Sequence, residues 1–139
     1  FFGRLASSYK TIGLVAMQRR MPLVCGHAVR LGWPAASEIR YRIEVFDVIQ
    51  PEEWDAQPDP LFYVTARYRR AIEAMVRAAP EQYLWMHGAW KTRAPHERRG
   101  QPMPDDLRDK IRSLPWMTDE EYDRVVERSA MDAAAFATS

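Results

Sequence analysis

Few side chains in this chain could carry chemistry: the three histidines His27, His87 and His96, and a single cysteine, Cys25. They stand far apart and give no metal-ligand spacing. Cys25 lies in the apolar run 23–29, LVCGHAV, where nothing nearby would stabilise a thiolate, so it reads as a small buried hydrophobe. One cysteine also excludes an internal disulfide and suits a reducing compartment. His27, in the same run, reads as a hydrogen-bonded core histidine. The most loaded stretch is 80–93, PEQYLWMHGAWKTR, which sets Tyr83, Trp85, His87 and Trp90 directly before Lys91 and Arg93. A core explains its aromatics but not its bases. For Trp85 and Trp90 the core competes with a membrane-interface belt.

Charge is uneven along the chain although the net value is only +1. Residues 1–42 carry seven Lys/Arg against one acid, 43–66 six acids and no base, 67–100 eight bases against three acids, and 101–139 five bases against nine acids. Two basic blocks folded to one side would suit an anionic partner. A cluster of Arg4, Lys10, Arg19, Arg20 and Lys91 would then bind an anionic membrane surface. Nucleic acid is disfavoured, because Arg67, Arg69 and Arg70 ride a helix whose remaining pattern is core-packing.

The elements that must position these groups follow from period and punctuation. Ser7 or Ser8 can cap a helix over about 9–20, ended by Pro22. The run 23–29 has the character of a strand buried on both faces of a parallel sheet. Ile39, Tyr41, Ile43 and Val45 alternate with Arg40, Arg42 and Glu44 in a second strand with one wetter face. Residues 50–60 read as an acidic loop, and Asp59–Pro60 as an N-cap with proline at the first helical position. A helix follows through Leu61, Val64, Tyr68, Ile72, Met75 and Ala79, with Glu73 one turn from Arg77. Residues 96–106 look like a linker. Leu107, Ile111 and Leu114 then share one helical face, and TDEE at 118–121 opens a last helix through Tyr122, Val125 and Val126. The order suggests an α/β sandwich with residues 101–139 as a helical extension. No apolar run reaches membrane-spanning length, and no signal peptide is visible. The opening Phe1–Phe2, without cap or turn signal, predicts a start in mid-strand, inside a longer protein.

The block at 80–91 resembles the C-terminal motif of the bacterial lipid A biosynthesis acyltransferases, the lauroyl/myristoyl transferase family, at Pro80, Glu81, Gln82, Tyr83, Trp85, His87, Trp90 and Lys91. FFG at 1–3, ASSYKTIG at 6–13, MPLVCGHAVR at 21–30 and YRIEV at 41–45 agree in order, so the resemblance covers roughly residues 1–95. The chain departs from the family at Gly88–Ala89, where two basic residues are usual, and at Cys25, where proline is usual. The resemblance implies the C-terminal part of a glycerolphosphate-acyltransferase-like αβα sandwich over residues 1–100, with the helical extension beyond.

It also implies transfer of a fatty acyl group from acyl carrier protein to a hydroxyl of a phosphorylated glycolipid, at the cytoplasmic face of the bacterial inner membrane, with no cofactor. Another glycolipid acceptor, such as a phosphatidylinositol mannoside, is the nearest alternative; a non-catalytic peripheral membrane module is the alternative from another class. Arg4 and Lys10 would contact phosphate, aided by N–H groups at a helix start. Gly13, Glu81, Trp85, His87 and Lys91 complete the expected substrate-binding set. His87 reads as a structural anchor, with its ring and Trp85 buried against the sheet. The related acyltransferases activate the acceptor with a histidine followed five positions later by an acid. Here Gly32, Thr92 and Gln101 stand five beyond the three histidines. The expected base, like the membrane anchor, therefore lies upstream of Phe1, and this chain alone should not catalyse transfer.

Overall fold

The computed structural model describes residues 1–32 and 39–137, with His87 described by its backbone alone. The fold is mixed α/β and divides into two compact units, one of residues 9–86 and one of residues 1–8 with 87–139.

The 9–86 unit runs α1 (Thr11–Arg19), β1 (Leu23–Arg30), β2 (Tyr41–Ile49), α2 (Pro51–Asp55) and α3 (Pro60–Ala78). The expected serine caps are not used: Lys10 is the N-cap of α1, without a side-chain bond, and the Ser8 hydroxyl donates to the Ala6 carbonyl at 3.4 Å. Arg20 ends the helix in the left-handed region at φ 52° and pairs with Asp55. Gly13 faces α3 so closely that a Cβ there would stand 3.2 Å from Leu61 and 3.3 Å from Val64.

β1 and β2 form an antiparallel pair, not strands of a parallel sheet. The register slips between Cys25 and Gly26, leaving Phe46 as the extra residue of a bulge. Gly26 lies so near β2 that a Cβ would meet the Glu44 carbonyl oxygen at 2.7 Å. Among the described residues one face of the pair is covered. α3 packs on it, and Cys25 and Ile49 are buried. The other face presents Val24, Tyr41, Ile43 and Val45, with Ile43 73% exposed. The double burial expected from the apolar run 23–29 is therefore corrected, as is the wet side of β2. Charged Asp47 and Glu44 turn toward the covered side because Arg67 and His27 meet them there, which leaves the apolar residues outside.

The acidic stretch expected to be a loop contains α2, at whose start the Glu53 carboxylate accepts from the Gln50 N–H and the Glu53 N–H donates to the Gln50 carbonyl. Its Trp54 is 1% exposed, a large part of this small core. The Asp59 cap forms as the sequence predicts, accepting from the Phe62 N–H at 3.0 Å. α3 buries Tyr63, Val64, Tyr68, Ala71, Met75 and Val76, and the Glu73–Arg77 pair closes at 2.6 Å.

In the other unit Phe1–Arg4 is a turn, not a strand, with Phe2 at φ 52° and Gly3 at φ 66°. The rings of Phe1 and Phe2 stand 5.5 and 6.3 Å from that of Trp90. The stretch read as a linker contains α4 (Pro95–Arg98), which buries His96 and Glu97 against α6 (Asp119–Ala137). α5 (Asp105–Arg112) and the turn after it bury Ile111 and Leu114, and Thr118 caps α6 by accepting from the Glu121 N–H at 3.1 Å.

Candidate functional site

The block at 80–87 is positioned from the end of α3. Pro80 cannot continue the helix and opens a 3-10 turn, Pro80–Gln82. Gln82 then does what a neighbouring strand would do. Its carbonyl oxygen accepts from the Arg30 N–H at 2.9 Å, and its amide donates to the Arg30 carbonyl at 3.1 Å. Both groups lie on the edge of β1 turned away from β2, so one side-chain amide satisfies main-chain groups that a sheet edge leaves open. The chain then folds over itself: the Trp85 indole N–H donates to the Pro80 carbonyl at 2.8 Å, and the Tyr83 ring meets the Trp85 ring edge-on at 5.0 Å. Trp85 is not buried against the sheet as expected; it is 52% exposed between Leu84 and Met86, also exposed. The loop is held by its polar atoms and leaves its apolar ones outside. The expectation for the His87 ring falls outside the described residues.

Arg4 has a defined role inside its own unit. Its Nε and Nη2 donate to the two oxygens of Asp132, each at 2.7 Å. Arg93 donates to the same carboxylate, to Glu97 at 2.8 Å and to the Leu5 carbonyl at 2.8 Å. Ser129 donates to Glu97 at 2.7 Å, and His96 Nε2 meets Ser129 Oγ at 2.9 Å. Burial would raise the Asp132 carboxyl, but the Arg4 hydrogen bonds and the charges of Arg93, Arg4 and Arg128 hold it below the ordinary range. Serine, histidine and glutamate here do not form a nucleophilic triad. Ser129 stands between the other two and gives its proton to the carboxylate, and all three are buried. The cluster is an ionic core joining Arg4, Arg93, Glu97 and Asp132. Beside it, Leu5, Ser7, Thr92, Arg93, Pro95 and Arg98 line an open cleft of about 290 Å³; the Arg93 guanidinium is committed to the ionic core, so Arg98 and the hydroxyls of Ser7 and Thr92 are the groups that could meet an anion there.

A second histidine–carboxylate contact crosses the strands: His27 Nε2 stands 3.0 Å from Glu44, which also accepts from Arg42 at 2.6 Å. Those hydrogen bonds, His27 first, hold the Glu44 carboxyl below its ordinary value. His27 is thus hydrogen-bonded as expected but half-buried instead of in the core, with its ring edge-on to Phe46 at 5.0 Å. Burial, reinforced by Asp47, pushes the Cys25 thiol up, which suits a hydrophobe and not a nucleophile. Asp47 is held below its ordinary value, first by the Arg67 hydrogen bonds at 2.8 and 2.9 Å; Arg67 also reaches Glu53 and the Tyr63 hydroxyl, each at 2.6 Å.

The expected substrate-binding residues fall in both units. Lys10, Gly13, Glu81 and Trp85 belong to the 9–86 unit, with Lys10 and Glu81 exposed and Gly13 buried as a helix contact. Arg4, His87 and Lys91 belong to the other, where Lys91 is exposed. Of the basic cluster expected to face a membrane, Lys10, Arg19, Arg20 and Lys91 are exposed, with Arg20 ion-paired to Asp55, while Arg4 is half-buried in its pair with Asp132. The ionic core escaped sequence reading, although Arg93–Glu97 and Arg128–Asp132 carry an i,i+4 signal. The Gln82 bracket had no signal beyond the motif itself. Among the described residues no group of side chains could hold a metal ion, and no helix is long and apolar enough to cross a membrane. No family model, curated protein or solved structure matches the chain.

Proposed function

We propose that the chain is the carboxy-terminal part of an acyltransferase that moves a fatty acyl group from acyl carrier protein to a hydroxyl of a phosphorylated glycolipid, a lipid A precursor. The reading rests on the ordered motif series, and one observation gives that series physical content. Of the Pro-Glu-Gln in the block, Pro80 stops α3 and Gln82 brackets β1 at Arg30. A motif that combines a helix stop with a side-chain strand mimic suits a fold in which this loop must stay against the sheet. The open apolar face of Val24, Tyr41, Ile43 and Val45 also suits a larger αβα sandwich, in which further elements cover it.

In such a reaction the acceptor oxygen forms a bond to the thioester carbonyl carbon, the carbon–sulfur bond breaks, and the acceptor proton passes through a general base to the departing thiolate. The residues of this chain bind and orient. The Arg98 side of the cleft and exposed Lys91 would meet phosphate, and the ionic core fixes the segment that carries them. The base is assigned to upstream sequence, so residues 1–139 alone would bind without turnover. A non-catalytic membrane module is the second reading, favoured by the exposed apolar loop at 84–86.

The test uses the product of the uninterrupted reading frame that contains this sequence, given acyl carrier protein thioester with a lipid A precursor or with a phosphatidylinositol mannoside. Acylation of the lipid A precursor is the expected result. Transfer only to the mannoside would move the assignment to the alternative acceptor, and transfer to neither would favour the binding module. Turnover by residues 1–139 alone would overturn the placement of the base.

A further inference from the structure

We infer that residues 84–86 form a preorganised tip that enters the headgroup region of an anionic lipid bilayer. Leu84, Trp85 and Met86 are consecutive, apolar and 65%, 52% and 92% exposed. A chance exposure of one such residue is ordinary; three in a row, leading into the 3-10 turn Trp85–His87, form a continuous exposed apolar stretch. The tip is also ready to leave water. The only polar atom in its three side chains that could be stranded, the Trp85 indole nitrogen, already donates to the Pro80 carbonyl. Tyr83 supports the Trp85 ring at 5.0 Å, and Gln82 ties the base of the loop to the edge of β1. Little ordering is then left for binding to accomplish.

The surroundings decide the kind of partner. Gln82 grips Arg30, which lies opposite Tyr41 in the hairpin, and the Leu31 N–H donates to the Arg40 carbonyl. Arg42 is one residue further along β2. The same end of the sheet therefore gathers Arg30, Arg40 and Arg42 with the exposed Ile39 and Tyr41, 71% and 59% accessible. Glu44, the acid on the same strand, is already matched by Arg42 and His27, and Glu81 is next to Gln82 in the chain. An apolar tip beside arginines and a tyrosine complements anionic headgroups above acyl chains. This inference deepens the proposed function, whose acceptor is a membrane lipid, and names the element that would meet the bilayer.

The test is flotation of the 1–139 chain with vesicles of phosphatidylcholine alone or mixed with phosphatidylglycerol, at low and high salt. The wild type should bind the mixed vesicles and release them as salt rises. Met86→Asp, at a site too exposed to support the fold, should lower the partition coefficient at least about tenfold. Met131→Asp, at an exposed methionine of α6, should leave it unchanged. In the bound wild type, lipids brominated on the acyl chain should quench tryptophan emission, and Trp85→Phe should remove most of that quenching. If the wild type binds but Met86→Asp binds equally, the tip is wrong while the membrane reading stands. If the wild type binds neither kind of vesicle, both fall.

Discussion

Replacing Asp132 by asparagine tests the ionic core with almost no change of shape. The carboxylate is 5% exposed and receives both donors of the Arg4 fork as well as Arg93. The amide keeps one acceptor oxygen and brings two donors toward guanidinium groups that cannot accept. Arg93 then keeps Glu97, while Arg4 loses the carboxylate that its fork grips. Breaking a buried ion pair costs about 3–5 kcal/mol. Arg4 retains 30% exposure and Arg93 retains Glu97, so the low end, about 3 kcal/mol, is expected. With a urea slope of about 2 kcal/mol per molar, the midpoint should fall by about 1.5 M.

Because every partner belongs to the unit of residues 1–8 and 87–139, amide exchange should accelerate first in α4 and α6. The folded Asp132 carboxyl lies below its unfolded value, so its contribution is complete above the unfolded value and is lost as pH falls through the folded one. Urea midpoints of wild type and Asp132→Asn should therefore differ most near neutrality and converge in acid, below about pH 4. An Asp132→Asn chain with wild-type exchange in α4 and α6, or a gap that does not narrow in acid, would refute the reasoning.

Three further substitutions discriminate burial from exposure. Trp54→Ala should cost about 3–5 kcal/mol by urea unfolding. Trp85→Ala should cost under about 1 kcal/mol, since half of that ring is already in water; a loss as large as that at Trp54 would place Trp85 in a core. Gln82→Ala removes two exposed hydrogen bonds worth about 0.5–1.5 kcal/mol each, and it should deprotect the Arg30 amide in hydrogen exchange while leaving α3 unchanged.

What was legible in the sequence was local. The Asp59 cap with Pro60, the Glu73–Arg77 pair and the Thr118 cap each need partners within four residues, so spacing alone finds them. α2 was lost because its acids and prolines have loop composition, although Gln50 and Glu53 stand at capping-box spacing. The character of the strands misled for a different reason. An apolar run tells that a strand prefers burial, but not whether a second layer lies on each face, and here α3 covers one. The Arg4–Asp132 contact joins residues 128 apart, a pairing that no periodicity encodes. Trp85 was assigned to the core from its type, while its indole bond to Pro80 lets the ring remain outside.

The central claim, glycolipid acylation, is tested most directly by mass spectrometry of lipid A from cells lacking the gene that contains this sequence. Lipid A short of one acyl chain is expected, restored by the whole gene and not by residues 1–139 alone. Lipid A unchanged in the deletion strain would contradict the assignment.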